Sequence, residues 1–343
     1  MPQDSRPPLP VIILTGFLGA GKTTLLQRIL SQKNGPRYGV LVNDFGAINI
    51  DADLITETGR DGVVSLENGC ICCTIRDDLV AALHQILEQP NRPERLVIEA
   101  SGVSRPLQIV EALEDPEIEP QTLLDGVYCL IDCGAFLDLD FASTELAMDQ
   151  VMGSDLAILN KSDLADDAQM EQIETVLRTA QPRLKTLRTT GAVVPNELLA
   201  GLPDPVASGL VDHDECADPS CGCHDHHHDH HHDHAHDHTH AHDHDHDHTH
   251  NEEFRSWSWQ GTGRFAASDV KSFMAALPPQ ILRAKGILVG PEGERLRCDL
   301  VGKRHSVKRE DAAAPALSTF VLIGRSEALD PDALTAGFEA MKC

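Results

Sequence analysis

The 343-residue sequence predicts an α/β protein, with a mostly parallel sheet wrapped by helices and a small α+β domain after it. Its apolar residues fall in short runs, Val11–Leu14, Val40–Val42, Leu96–Glu99, Val127–Ile131 and Leu156–Leu159, separated by helix-like stretches. Runs of four or five residues barely broken by polar side chains are strands buried on both faces, and that burial implies a parallel sheet between helix layers. The first run leads straight into a glycine-rich turn and then a helical segment, the order of a phosphate-binding loop. The pattern stops near residue 205 and resumes, in a different form, at residue 254.

These breaks predict three regions: 1–205 as the α/β domain, 206–253 as a linker without a core, and 254–343 as the α+β domain. From His224 to His250, 27 residues hold 16 His and 7 Asp with only Ala and Thr besides. Nothing there can bury enough apolar surface to order itself. In the last region Trp257 and Trp259 sit two apart, as on one face of a strand. Ile281–Gly290, Arg295–Gly302 and Ser318–Ile323 read as strands of an antiparallel sheet. Ser268–Leu277 and Pro331–Met341 read as helices capped by Ser268 and Asp330. Aromatics make up only 4% of the chain, which predicts an aliphatic core.

The net charge of −26 excludes a general nucleic-acid or anionic-membrane surface, since both need a basic face. Residues 212–253 hold 13 of the acidic side chains and no Lys or Arg, which leaves −13 for the rest. No run reaches the 18 or so apolar residues of a membrane span, and the first ten residues lack the pattern of a signal peptide. A cytoplasmic location is expected. The ten cysteines then read as metal ligands or buried apolar side chains rather than disulfides.

Gly16-Phe17-Leu18-Gly19-Ala20-Gly21-Lys22-Thr23 fits the P-loop pattern G-x-x-x-x-G-K-[ST] without a mismatch. Gly16, Gly19, Ala20 and Gly21 would cradle phosphate oxygens with backbone N–H groups, and Thr24 opens the helix behind them. Lys22 would reach the β and γ phosphates, and the Thr23 hydroxyl would ligate Mg²⁺. Asn160-Lys161-Ser162-Asp163 follows the strand that ends at Leu159. The Asp163 carboxylate can accept both the N1–H and N2–H₂ of guanine, a donor pair adenine lacks, so the nucleotide is read as GTP. Asn160 and Lys161 would position that loop and cover the base.

Two strand ends supply the remaining pieces. Asp44 follows the second apolar run and Glu99 ends the third, so both carboxylates fall near the metal and the γ-phosphate. Glu99 is placed to hold Mg²⁺ or polarise the attacking water, which makes it and Lys22 the catalytic candidates; Ser101 and Gly102 would touch phosphate. No glutamine for positioning water and no arginine finger stand out, so slow intrinsic turnover is expected. Between these strand ends lies Gly69-Cys70-Ile71-Cys72-Cys73-Thr74. Three thiolates within four residues can face one soft ion such as Zn²⁺, Co²⁺ or Cu(I) and leave a coordination position open for hand-over. Upstream of the histidine tract, Cys221 and Cys223 join His224, His226, His228 and His230 as an auxiliary, poorly selective metal site. Cys129, Cys133, Cys298 and Cys343 are read as non-ligands, and His84 and His305 as structural or surface residues.

Taken together, Gly16–Thr23, Cys70-Ile71-Cys72-Cys73, Glu99-Ala100-Ser101-Gly102 and Asn160–Asp163 resemble the CobW-type metallochaperone GTPases, relatives of the nickel-insertion GTPases of urease and hydrogenase. Arg283-Ala284-Lys285-Gly286 looks like the signature of their second domain. The family commonly carries Asn-Glu-Phe-Gly where this chain has Asn43-Asp44-Phe45-Gly46, a carboxylate one methylene shorter. The resemblance implies a P-loop GTPase domain that binds a transition metal at Cys70, Cys72 and Cys73 and passes it to a client metalloprotein. It implies GTP and Mg²⁺ as cofactors, with Zn²⁺ ahead of Co²⁺ as the cargo. Pairing of two copies under nucleotide or metal control is a further expectation. The competing expectations are a metal store acting through the histidine tract, and a P-loop kinase or GTPase without metal work. On the predicted strand, Arg283 and Lys285 share one face, turned to the nucleotide domain, to a client or equally to solvent.

Overall fold

The computed structural model describes residues 6–32, 35–43, 63–65, 75–199 and 254–343. Asp44, the Cys70/Cys72/Cys73 motif, and Cys221, Cys223, His224, His226, His228 and His230 lie outside the described residues.

The first domain is built on a seven-stranded sheet in the order β3-β2-β4-β1-β5-β6-β7. Its strands are β1 (Leu9–Gly16), β2 (Tyr38–Asn43), β3 (Val63–Ser65), β4 (Arg95–Ala100), β5 (Thr122–Asp132), β6 (Leu156–Asn160) and β7 (Lys185–Arg188). Every neighbouring pair is parallel. The five apolar runs are the cores of β1, β2, β4, β5 and β6; β3 and β7 are short edge strands without an apolar run of their own.

Side chains alternate across the sheet. Ile12, Leu14, Val40, Val42, Val97 and Leu130 pack on Leu25, Leu26 and Ile29 of α1 (Lys22–Leu30). On the other face, Val11, Ile13, Leu96 and Ile98 meet α2 (Ile75–Glu88) and α3 (Pro106–Leu113). Farther along that face Cys129, Ile131, Ala157 and Leu159 meet α4 (Phe141–Met152) and α5 (Asp167–Ala180). Helix α2 presents Leu79, Leu83, Ile86 and Leu87 to the sheet, the i, i+4, i+7, i+8 stripe of an amphipathic helix. A short helix, α6 (Asn196–Leu199), ends the described part of this domain.

The second domain is a five-stranded sheet in the order β11-β10-β9-β12-β8. It comprises β8 (Phe254–Gly261), β9 (Ile281–Val289), β10 (Arg295–Val301), β11 (Arg304–Glu310) and β12 (Ser318–Arg325), all antiparallel. Helices α7 (Ala267–Ala276) and α8 (Pro331–Glu339) cover one face. One expectation is corrected here. Helix α7 begins at Ala267 with Ala266 as its N-cap and no side-chain cap, so Ser268 lies inside the helix; its hydroxyl reaches the neighbouring Asp269 carboxylate. The buried residues are mostly Leu, Ile, Val and Ala, as expected, and the aromatic side chains gather in this domain: Phe338 lies 4.9 Å from both Trp259 and Phe320 between ring centroids, and Trp257, Phe265 and Phe273 complete the cluster. At the start of α8 the Asp330 carboxylate does accept from the Ala333 N–H.

The two domains are joined at buried polar contacts. Arg283 of β9 is 1% exposed and enters the first domain at the N-terminal ends of its strands. Its Nη2 donates to Asp125 Oδ1 at 2.5 Å, and its Nη1 donates to the Tyr128 hydroxyl at 2.8 Å and the Leu198 carbonyl at 2.7 Å. The second Asp125 oxygen accepts from Arg95 Nη1 at 2.6 Å. Burial on its own would raise the pKa of Asp125; the guanidiniums of Arg283 and Arg95 overcome that and hold it at about 2. A second anchor is the turn at Gly302. Lys303 N–H donates to the Asp155 carbonyl, and Arg304 Nε sits against both Asp155 carboxylate oxygens at 3.0 and 3.1 Å. Leu282 and Val301 join the core cluster of the α1 face, so the domains share apolar as well as polar contacts.

Gly302 has φ +51°, and a Cβ there would stand 1.9 Å from the Asp155 carbonyl oxygen. Gly293 also has positive φ but open space around it. Gly293→Ala should cost about 1 kcal/mol, the price of the backbone conformation alone, and Gly302→Ala about 3 kcal/mol or more because the inter-domain turn must also move. Equal losses in urea unfolding would contradict the contact. For Asp125 the sign is that of a depressed carboxylate: stabilisation is full above its ordinary value of 3.8 and is lost as pH falls through about 2. The stability advantage of the wild type over Asp125→Asn should therefore shrink between pH 4 and pH 2, as acid titration of both proteins will read.

Candidate functional site

Strand β1 is flanked by β4 on one side and β5 on the other, so the chain's crossovers diverge at its C-terminal end, the place where open parallel sheets bind ligands. The glycine-rich turn starts there. Gly16 takes φ +136°, and a Cβ at this position would lie 2.2 Å from the Leu130 carbonyl oxygen, so only glycine lets the loop leave the strand this close to β5. Gly21 caps α1 in the left-handed region, and its carbonyl accepts from the Leu25 N–H at 3.0 Å. Gly19 sits in open space and Ala20 is buried. Thr24 is exposed on α1.

Lys22 is 8% exposed and folds back over the loop, its Nζ donating to the carbonyls of Gly16 at 2.9 Å and Phe17 at 3.2 Å. The Thr23 hydroxyl donates to Glu99 Oε1 at 2.8 Å. The parallel register that sets Leu14 opposite Glu99 brings these two groups together. A hydroxyl and a buried carboxylate at hydrogen-bond distance are a hard oxygen pair, the donor chemistry that Mg²⁺ takes beside a triphosphate. Beyond Glu99, the Ser101 carbonyl accepts from the N–H and hydroxyl of Ser104, and Gly102 packs against Leu18 of the P-loop.

On the other side, Asn160 ends β6 and is 2% exposed. Its amide donates to the Ala20 carbonyl and its oxygen accepts from the Ala192 N–H, both at 2.8 Å. Asn160 is therefore a tie between the P-loop and the loop after β7. Lys161 takes the left-handed conformation at φ +57° and donates to Asp132 Oδ2 at 2.6 Å. Asp163 is exposed in the short helical turn that follows.

Three positioning residues were not singled out in the sequence. Asp132 orients Lys161 and also accepts from the Gly134 N–H; its signal was an acidic residue closing a buried strand two positions before a glycine. Gln150 of α4 is fully buried and donates to the carbonyls of Gly102 and Ser104, each at 3.1 Å, so it pins the loop behind Glu99. Ala192 turns the loop after β7 toward Asn160 with φ +56°. For Gln150 and Ala192 the sequence held no signal, because an isolated glutamine on a helix and an alanine in a loop are read as surface.

Cys129, Cys133 and Cys298 are buried and Cys343 is exposed, none in a disulfide among the described residues. Burial pushes the Cys129 and Cys133 thiols up to about 12 and raises Cys298 as well, so all three stay protonated. His84 pairs with Glu117 at 3.2 Å on the surface. Among the described residues no helix is long and apolar enough to cross a membrane.

The exposed Asp163 carboxylate makes a quantitative prediction. Asp163→Asn should weaken GTP binding about 100-fold, the loss of roughly 3 kcal/mol from two bonds to a charged acceptor. It should favour xanthosine triphosphate, whose O2 can accept from the new amide. Competition against a fluorescent guanine nucleotide reads both; unchanged base preference would exclude Asp163 from the base pocket.

Comparison with known proteins agrees with this geometry. Residues 10–188 match the CobW/HypB/UreG nucleotide-binding domain, and residues 254–342 match the C-terminal domain of the cobalamin synthesis protein CobW. The chain is 32% identical over 248 residues to a zinc chaperone CobW of Sinorhizobium sp, an alignment covering 64% of this chain and 70% of that protein. It is 35% identical over 246 residues to the zinc-regulated GTPase metalloprotein activator 1 of Dictyostelium discoideum, covering 61% of this chain and 50% of the relative. To the zinc chaperone YjiA of Escherichia coli it is 38% identical over 167 residues, 47% of this chain and 52% of that one. The chain thus spans about half the length of two of these three relatives. It is a P-loop GTPase that belongs to the CobW/HypB/UreG family and carries the CobW-type C-terminal domain.

Proposed function

We propose that this GTPase is a metallochaperone: it binds a transition metal, zinc before cobalt, at Cys70, Cys72 and Cys73 and yields it to a client metalloprotein under nucleotide control. The relatives named as zinc chaperones support metal delivery and zinc as the cargo. The observation that carries nucleotide control is a register. Ser65, the last residue of β3, lies opposite Val42 of β2; Val42 lies opposite Glu99 of β4; and Glu99 lies opposite Leu14 of β1. Ser65, five positions before Cys70, thus lies two strands, or about 10 Å, from the strand whose carboxylate bonds Thr23. In this reading a loop reordered by the γ-phosphate at Glu99 and Gly102 biases the sequence that follows Ser65, and the coupling is reciprocal: metal changes nucleotide affinity by the same factor.

In this reading Lys22 neutralises the β and γ phosphates, and Thr23 and Glu99, with Asp44, hold Mg²⁺. When bound, that ion supplies charge neutralisation to the phosphates. Glu99 also orients the attacking water. Ser101 and Gly102 meet the phosphate, and Asp163 selects guanine. Slow intrinsic turnover, expected because the sequence shows no evident arginine finger, leaves a second copy of the chain or the client as the source of stimulation. The work is assigned to the cytoplasm, where thiolate ligands stay reduced. The second reading, a metal store, rests on the 16 histidines between His224 and His250.

The test deletes residues 213–250 and measures Zn²⁺ affinity by chelator competition under anaerobic, reducing conditions. Mg²⁺ with a non-hydrolysable GTP analogue is compared with Mg²⁺ and GDP. The expected result is one tight site, lost in Cys72→Ser, with affinities at least tenfold apart between nucleotides, about 1.4 kcal/mol of coupling. Equal affinities for Zn²⁺ and for Co²⁺ would remove nucleotide control. Loss of nearly all tight binding on deletion would favour the metal store.

A further inference from the structure

Strand β11 is the outermost strand of its sheet among the described residues. Its residues alternate, so Arg304, Ser306 and Lys308 share the face turned to the first domain, opposite Val301, Asp299 and Arg297 of β10. Between this face and the segment running from α3 to the start of β5 lies a cleft of about 310 Å³. It sits at the N-terminal ends of the first sheet's strands, away from the nucleotide loop. Its floor is apolar, formed by Val110, Leu113 and Val301.

The charged groups around the cleft are unequally committed. Asp125 is held by Arg283 and Arg95, and Arg297 is held by Asp299 and Glu310. Arg304 uses Nε on Asp155 and Nη1 on the Leu124 carbonyl, while its Nη2 is buried with no acceptor among the described residues. A buried guanidinium N–H without an acceptor is unfavourable and marks a place for one. The Ser306 hydroxyl and the exposed Lys308 ammonium follow along the same face at steps of about 7 Å. The strand Arg304–Glu310 carries three basic residues against one acidic in a chain whose net charge is −26. Glu114 and Glu119 stand exposed on the opposite lip.

We propose that β11 and this cleft form a docking surface for an acidic segment of a partner polypeptide, bound extended alongside the strand. The outer edge of β11 offers backbone N–H and C=O groups that another chain can pair, which a small anion cannot do. Carboxylates at alternate positions fall on the cleft side, where Arg304 Nη2, Ser306 and Lys308 supply donors and the floor takes their methylenes. The intervening side chains fall on the side of Val307 and meet an apolar neighbour, so the segment that fits alternates acidic with aliphatic residues. Glu114 and Glu119 repel any further acidic residue on the far lip and confine the segment to the β11 side. The surface stands at the opposite end of the strands from the P-loop and uses none of the cysteines, so the inference does not rest on the metal-delivery reading.

The test uses the full chain in EDTA and a fluorescein-labelled decapeptide of alternating Glu and Val, with an alternating Lys and Val peptide as its counterpart. Fluorescence anisotropy should show saturable binding of the acidic peptide only, at least tenfold weaker in Lys308→Glu. Because Lys308 is exposed, that variant keeps the wild-type thermal melt, checked by circular dichroism. Sodium glutamate at equal carboxylate concentration should not displace the peptide. No saturable binding, equal binding of the two peptides, an unaffected Lys308→Glu variant, or displacement by free glutamate would each overturn the proposal.

Discussion

The arrangement of the molecule depends on one buried carboxylate held between two guanidiniums. Asp125 sits near the start of β5, beside the sheet's central strand, with Arg283 of the second domain on one oxygen and Arg95 of β4 on the other. Any one of these charges alone in that position would be costly, whereas the set, closed by the Tyr128 hydroxyl and the Leu198 carbonyl, leaves each partner bonded. Removing Asp125 would strand two cations in a dry interface, a cost of about 3–5 kcal/mol for a buried pair. The second domain is therefore not a bead on a linker; it is seated on the ends of the strands.

That seating fixes the polarity of the molecule. In a parallel sheet all strands point one way, so the nucleotide loop gathers at their C-terminal ends and the second domain occupies the N-terminal ends. Strand β5 joins Asp125, the partner of Arg283, to Asp132, which orients Lys161 of the turn proposed to hold the base. Strand β6 joins Asp155, the partner of Arg304, to Asn160, which bonds the P-loop. These two strands thus carry an inter-domain contact at one end and a residue beside the P-loop at the other, while β4 runs from Arg95, bonded to Asp125, to Glu99.

Much of this was legible in the sequence, for physical reasons. Unbroken apolar runs are forced by burial on both faces, and the P-loop glycines are forced by geometry, as the 2.2 Å approach to Leu130 at Gly16 demonstrates. Strands β3, β7 and β11 were not found, because edge strands need no apolar run and β11 is mostly polar and charged. Arg283 was visible as a face-sharing partner of Lys285, but its burial was not, since that depends on Asp125 and Arg95, which lie 158 and 188 positions away. Ser268 failed as a cap because the helix starts at Ala267, with Ala266 at the boundary and Ser268 already inside the first turn. Gln150 acts through contacts between elements, which local pattern does not record.

Both tryptophans, Trp257 and Trp259, belong to the second domain, so their fluorescence reports its unfolding alone. The direct measurement is the urea midpoint of that fluorescence with and without Mg²⁺ and a non-hydrolysable GTP analogue, in the wild type and in Asp125→Ala. If the Asp125 node joins the domains into one cooperative unit, a nucleotide bound only to the first domain raises the tryptophan midpoint in the wild type and leaves it unmoved in Asp125→Ala. A wild-type tryptophan midpoint indifferent to the nucleotide, while the first domain is stabilised, would contradict that account.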